Sequence, residues 1–184
     1  MKTKLIVLLI VCALFNGFMP VTAQETDKKC DHTEFLVKEI DAQKTLVMKA
    51  DVAMAEIGPK MGEMYGALFG YLQAKGIAPA GAPFAVYYSF DPNGNTVFEA
   101  GIPIAEPVEG NESITYKEFP VMKVVSTLYT GTYEGMMPVY EGLQKHMQEN
   151  KLESTGASWE VYLTDPTVVK DPSENKTLIY FPIK

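Results

Sequence analysis

Two strand-like runs in this chain end in the same dipeptide, 74 residues apart. The first is Phe84-Ala85-Val86-Tyr87-Tyr88-Ser89-Phe90-Asp91-Pro92, and the second is Trp159-Glu160-Val161-Tyr162-Leu163-Thr164-Asp165-Pro166. Asp-Pro closes a strand because proline lacks the ladder N–H and aspartate favours a turn. The match extends outward. Tyr65, Leu68 and Leu72 lie upstream of the first run, and Tyr140, Leu143 and Met147 lie 75 residues further on. Ala100-Gly101-Ile102-Pro103-Ile104 is echoed by Tyr180-Phe181-Pro182-Ile183 at an offset of 79, with Asp171-Pro172-Ser173-Glu174-Asn175 supplying the longer loop of the second copy. Several features in one order at a nearly constant offset describe an internal duplication, so the chain must build one unit twice.

Each copy reads strand, helix, strand, strand, which gives an α+β fold. In the first (about 44–105), the opening strand is Lys44 to Ala53. The helix follows, with Ile57, Met61, Met64, Tyr65, Leu68 and Leu72 at helical spacing, Pro59 in its first turn and Gly76 at its end. A hairpin closes it: Phe84 to Phe90, a turn over Pro92 to Asn95, then Thr96 to Ile104. In the second (about 121–184), Val121 to Tyr129 is the strand, and Met136, Tyr140, Leu143 and Met147 mark the helix, with Pro138 in its first turn. Trp159 to Thr164 and Thr177 to Ile183 form the hairpin. Phe35 to Ile40 reads as an added strand, and the polar, glycine-containing stretch Glu106 to Phe119 as the connection between copies. Gly62, Gly66 and Gly70 fall in the first helix, where they are expected to aid close packing.

The chain has 184 residues, 47% of them hydrophobic, which suits one globular domain. A net charge of −7 without a basic stripe argues against nucleic acid as a partner. At the N-terminus, Lys2 and Lys4 precede an apolar run from Leu5 to Phe15, and Val21-Thr22-Ala23 is a small-residue cleavage site. This predicts a signal peptide over 1–23, a flexible tail over 24–34 and a domain over 35–184. Export to a periplasmic or secreted location follows, with no stable membrane anchor after cleavage. The mature chain then keeps only Cys30, which cannot form an internal disulfide. No second Cys or His pair supports a metal site beside Cys30-Asp31-His32.

Gly131-Thr132-Tyr133-Glu134 before a helix, the Trp159 to Pro166 run, and Thr177-Leu178-Ile179-Tyr180-Phe181-Pro182-Ile183 at the close form an ordered set. Together they resemble the GyrI-like family, the effector-binding domain of AraC-type and MerR-type regulators, over about Phe35 to Lys184. The resemblance implies two strand-helix-strand-strand units related by a pseudo-two-fold. Their antiparallel sheets would form a cleft for small amphipathic molecules, often aromatic or cationic, with the two helices packed on the opposite faces. Some family members look like stand-alone hydrolases that open strained rings, using the glutamate of a Glu-x-Tyr strand motif. Glu160 and Tyr162 match that motif. Regulators carry a DNA-binding helical domain where this chain has its leader and tail, so a stand-alone, exported member without a role in transcription is expected.

Strand alternation sends Trp159, Val161 and Leu163 to one face, expected to meet the helices, and Glu160, Tyr162 and Thr164 to the other. A carboxylate beside a phenol in a cleft wall has two uses. Ionised, Glu160 pairs with a cation while aromatic rings stack on the ligand. With a raised pKa it serves as a general base while a tyrosine hydroxyl donates to the departing group. Counting from Asp-Pro, Glu160 aligns with Val86 and Tyr162 with Tyr88, so the charge occurs in one copy only. Tyr133 either projects into the cleft or staples the helix start. Phe98 and Tyr180 on the partner strands, with Trp159, complete the expected ligand-binding set of Glu160, Tyr162, Tyr88, Tyr133, Trp159, Phe98 and Tyr180. Two readings stand: a binding protein for an amphipathic aromatic or cationic small molecule, or a hydrolase of small electrophilic or strained compounds using Glu160 and Tyr162. Neither calls for a cofactor or metal. A third reading is a protein-interaction module with a degenerate pocket, and the sequence leaves a protein partner unknown.

Overall fold

The computed structural model describes residues 34–184 apart from Phe90 and Pro92. The leader and most of the tail expected above lie outside the described residues. The described residues form eight strands and two helices: β1 (Leu36–Ile40), β2 (Gln43–Ala53), α1 (Ile57–Lys75), β3 (Phe84–Ser89), β4 (Asn95–Pro103), β5 (Thr115–Phe119), β6 (Met122–Thr130), α2 (Met137–Glu149), β7 (Ser158–Tyr162) and β8 (Lys176–Pro182). Short 3-10 turns over Met54–Glu56 and Tyr133–Gly135 lead into the helices. The fold is α+β and duplicated. Gly76 ends α1 in the left-handed conformation at φ 67°, where a Cβ would be strained.

All eight strands join one antiparallel sheet in the order β1-β6-β8-β7-β3-β4-β2-β5. Reading inward from each end exposes the pseudo-two-fold: β6-β8-β7 mirrors β2-β4-β3, and β3 pairs with β7 at the centre. The repeat is also longer than its sequence signal. β5 lies in the stretch expected to be a connection, and it is the counterpart of β1. Each of these strands precedes its own unit and pairs with the other: β1 with β6, and β5 with β2. The strand is short, polar and at a sheet edge, so it carries little alternation to read.

The sheet curls back on itself. Phe119 on edge strand β5 touches Trp159 on β7, with ring centroids 4.5 Å apart. Four strand steps separate these residues, which would be roughly 19 Å in a flat sheet. The links Asp41-Ala42 and Pro120-Val121 agree with this, since a two-residue link reaches only about 11 Å. Inside the curl, Phe84, Val86, Phe119, Val124, Trp159 and Tyr180 form a buried core. Gly101 is needed there, because a Cβ on it would stand 2.3 Å from the Phe84 ring.

Both helices lie on the outer face. Met64, Leu68 and Leu72 of α1 pack on Leu46, Phe98, Ala100 and Ile102. Val139, Leu143 and Met147 of α2 pack on Val125, Ile179 and Ile183. Each such side chain contributes about 1.5–3 kcal/mol by leaving water. The face assignment expected from sequence is thereby corrected. Trp159 points into the curl, and the helices cover the face of Glu160. Both faces of this sheet are apolar, so alternation could not distinguish them.

The register also corrects the alignment of the copies. Phe84 pairs with Gly101 and Trp159 with Tyr180, which sets Phe84 equivalent to Trp159, Ala85 to Glu160 and Tyr87 to Tyr162. A bulge between Tyr87 and Ser89 shifts β3 by one residue. Counting back from Asp-Pro therefore lands one position late, on Val86 and Tyr88. The glycines at 62, 66 and 70 also depart from expectation: a Cβ on any of them would meet nothing within 4 Å. They face open space instead of a packing partner.

Candidate functional site

The central strands β3 and β7 carry Tyr87, Glu160 and Tyr162 outward into the seam between the helices. Glu160 is only 7% exposed. Its carboxylate is held by three tyrosine hydroxyls. Tyr140 of α2 donates to Oε1 at 2.5 Å, Tyr162 donates to Oε2 at 2.8 Å, and Tyr87 donates to Oε2 at 3.4 Å. The Tyr87 and Tyr162 hydroxyls are 3.3 Å apart. Tyr65 of α1 stands edge-on to Tyr162 at 6.2 Å and anchors its own hydroxyl on the Phe84 carbonyl at 2.7 Å. Tyr133, in the 3-10 turn before α2, stands edge-on to Tyr162 from the other side at 5.9 Å. It is 39% exposed, the most exposed ring of the cluster.

No Lys or His pairs with Glu160 among the described residues. Burial pushes its carboxyl above the usual range, and the hydrogen bonds from Tyr140, Tyr162 and Tyr87 oppose that rise. The tyrosines move upward too, first by burial and then by the adjacent Glu160 charge, so they remain protonated donors. The result is a desolvated carboxylate with no counter-ion among the described residues, walled by aromatic rings. Such a site favours a cation. It also supplies a carboxylate of raised proton affinity beside phenols, the pairing that general acid–base chemistry requires.

The structure gathers part of the expected set. Glu160, Tyr162 and Tyr133 meet, and Phe98 supports them from behind, buried against Tyr87 at 5.8 Å. Trp159 stacks inside the curl on Phe84 at 5.1 Å. Tyr180 shares that inner core. Tyr88 is the extra residue of the bulge, donating to Glu99 at 2.7 Å and receiving Lys117 at 2.9 Å. These three do not reach Glu160. Tyr87, Tyr140 and Tyr65 occupy the site without having been assigned to it. Their signal was present: Tyr65 and Tyr140 mark the two helices at an offset of 75. The same offset applied to the hairpins selects Tyr87.

The model of the GyrI-like small molecule binding domain matches residues 33–184. The chain belongs to the GyrI-like family. No curated protein matches it. Among solved structures, this GyrI-like domain is similar to EcmrR in its DNA complex, with a TM-score of 0.75 at 18% identity, over 83% of this chain and 57% of that one. The chain thus spans little more than half of EcmrR. The EcmrR C-terminal domain alone gives 0.70 at 18% identity, over 82% and 97% of the two chains. A hydrolase encoded by lin2189 from Listeria innocua gives 0.65 at 12% identity, over 82% and 92%. SAV2435 bound to tetraphenylphosphonium gives 0.62 at 10% identity, over 83% and 94%. At these identities the likeness is one of fold. EcmrR is solved in a complex with DNA. That likeness stands against the exported, periplasmic or secreted location expected above, and the Leu5 to Phe15 run that suggested it lies outside the described residues.

Proposed function

We propose that this GyrI-like domain binds an amphipathic aromatic cation between its two helices, with Glu160 as the charge anchor. The observation that carries this reading is the buried Glu160 carboxylate, satisfied by hydroxyl donors yet without a positive partner among the described residues. An organic cation would supply the missing charge. Tyr162, Tyr133 and Tyr65 would offer ring faces to its flat groups, while Tyr87 and Tyr140 hold the carboxylate in place. Tyr162 and Glu160 keep the roles assigned from sequence, and Tyr133 lies at the entrance. Desolvation makes the charge–charge attraction stronger than it would be at a surface. A thermal-shift panel tests this with tetraphenylphosphonium, aromatic ammonium ions and neutral aromatic analogues. Cations should raise the melting temperature of wild type and leave Glu160→Gln unmoved. Equal shifts in both proteins, or shifts from neutral analogues alone, would sink the proposal.

A second reading rests on the raised proton affinity of Glu160 beside tyrosine hydroxyl donors. In it, Glu160 takes a proton from water attacking a small electrophilic or strained compound, and Tyr162 or Tyr140 protonates the departing atom. Turnover lost in Glu160→Gln and retained in Tyr88→Phe separates this reading from background hydrolysis.

A further inference from the structure

The duplication also builds two equivalent pits where the chain links cross the curled sheet, away from Glu160. In the first, the Ala80 N–H donates to the Pro103 carbonyl at 2.8 Å and the Ile104 N–H to the Lys44 carbonyl at 2.9 Å. In the second, the Thr155 N–H donates to the Pro182 carbonyl at 2.9 Å and the Ile183 N–H to the Lys123 carbonyl at 2.8 Å. These bonds frame cavities of about 350 and 400 Å³. Both fall in the size range of small-molecule sites.

The pits share a frame but differ in charge. Lys117 of β5 stands at the second pit, 4.8 Å from the centroid of Phe119 and 5.4 Å from that of Tyr88, both of which line it. Its ammonium is neutralised by Glu99 at 2.7 Å, and Tyr88 completes the triad. The equivalent residue at the first pit is Lys38 of β1, since Lys38 pairs with Val124 as Lys117 pairs with Thr45. Lys38 lies 4.8 Å from the centroid of Tyr180, which lines the first pit together with Phe84, Val161 and Lys44. Leu178 stands in the place of Glu99. Lys38 therefore has the ring face but no carboxylate among the described residues, and desolvation lowers its pKa. Lys44 already holds Glu106 at 3.1 Å.

We propose that the first pit is a separate site for a small amphipathic anion, a carboxylate on an apolar tail. The carboxylate would meet Lys38 as Glu99 meets Lys117 in the other copy, and the tail would lie on Phe84, Val161 and Tyr180. This goes beyond the Glu160 reading and is opposite to it in charge. Octanoate tests it, titrated calorimetrically with octanol as the neutral control. Wild type should bind octanoate and not octanol. Lys38→Gln should weaken binding at least about tenfold, the loss of a charge-assisted contact. Leu178→Glu should abolish it by supplying an internal carboxylate, and Glu160→Gln should leave it unchanged. Circular dichroism melts establish that each variant is folded, and Lys38→Gln, a surface change, carries the test if Leu178→Glu is not. Equal binding of octanoate and octanol, no binding to wild type, or unchanged affinity in folded Lys38→Gln would overturn the assignment.

Discussion

Removing the Tyr140 hydroxyl should cost far more with Glu160 present than with glutamine in its place. The hydroxyl donates at 2.5 Å to Oε1 of a buried carboxylate, and Ser158 hydrogen-bonds the Tyr140 hydroxyl in turn. Hydrogen bonds to charged groups contribute about 1.5–3 kcal/mol net, and neutral ones about 0.5–1.5 kcal/mol. Tyr140→Phe keeps the ring and its edge contact with Phe181 at 5.8 Å, so the change isolates the hydroxyl. In wild type it should destabilise by roughly 2–3 kcal/mol, because Oε1 loses its donor while remaining out of water. In Glu160→Gln the same substitution should cost about 1 kcal/mol. The coupling from the double-mutant cycle is then about 1–2 kcal/mol, well outside the error of additive sites. Urea unfolding at neutral pH, followed by circular dichroism, measures all four proteins. If Tyr140→Phe costs the same in both backgrounds, the charged hydrogen bond at the heart of the site does not exist.

Three further outcomes follow from the same geometry. The folded-state pKa of Glu160 is raised above its ordinary 4.5, so its contribution to stability is full below that value and is lost as pH rises through the folded pKa. Wild type should therefore lose stability relative to Glu160→Gln as pH rises above about 4.5, with a slope of at most about 1.4 kcal/mol per pH unit; parallel stability–pH curves would contradict this. Gly66→Ala should stabilise α1 by about 0.8–1 kcal/mol in a urea melt, since its Cβ would enter open space, and a loss of stability would show that the stripe is packed. Tyr87→Phe should weaken cation binding, whereas Tyr88→Phe should not, because only Tyr87 reaches Glu160; the reverse order would restore the alignment counted from Asp-Pro.

The duplication, both helices, both hairpins and the Glu160–Tyr162 pair were legible because each rests on local chemistry: apolar spacing, proline, glycine and strand alternation. Three things were not. β5 is stabilised by pairing with β2 of the other copy, a non-local gain that a short polar segment does not advertise. The bulge at Tyr87 is a one-residue insertion, and it moved the repeat frame where Asp-Pro was taken as the marker. The face covered by the helices depended on the curl. Trp159 is as well buried by Phe119 and Phe84 inside the sheet as it would be under a helix, so hydrophobicity alone did not choose. The break in the repeat on which the proposed site rests is Ala85 against Glu160, and the frame around it is a set of tyrosines drawn from both copies.

Glu160 is proposed to anchor a cation between the helices. Isothermal titration of tetraphenylphosphonium into wild type and Glu160→Gln at neutral pH tests it most directly. Wild type should bind saturably, and Glu160→Gln should bind at least about tenfold more weakly, the loss of a desolvated charge pair. Indistinguishable affinities in the two proteins would contradict it.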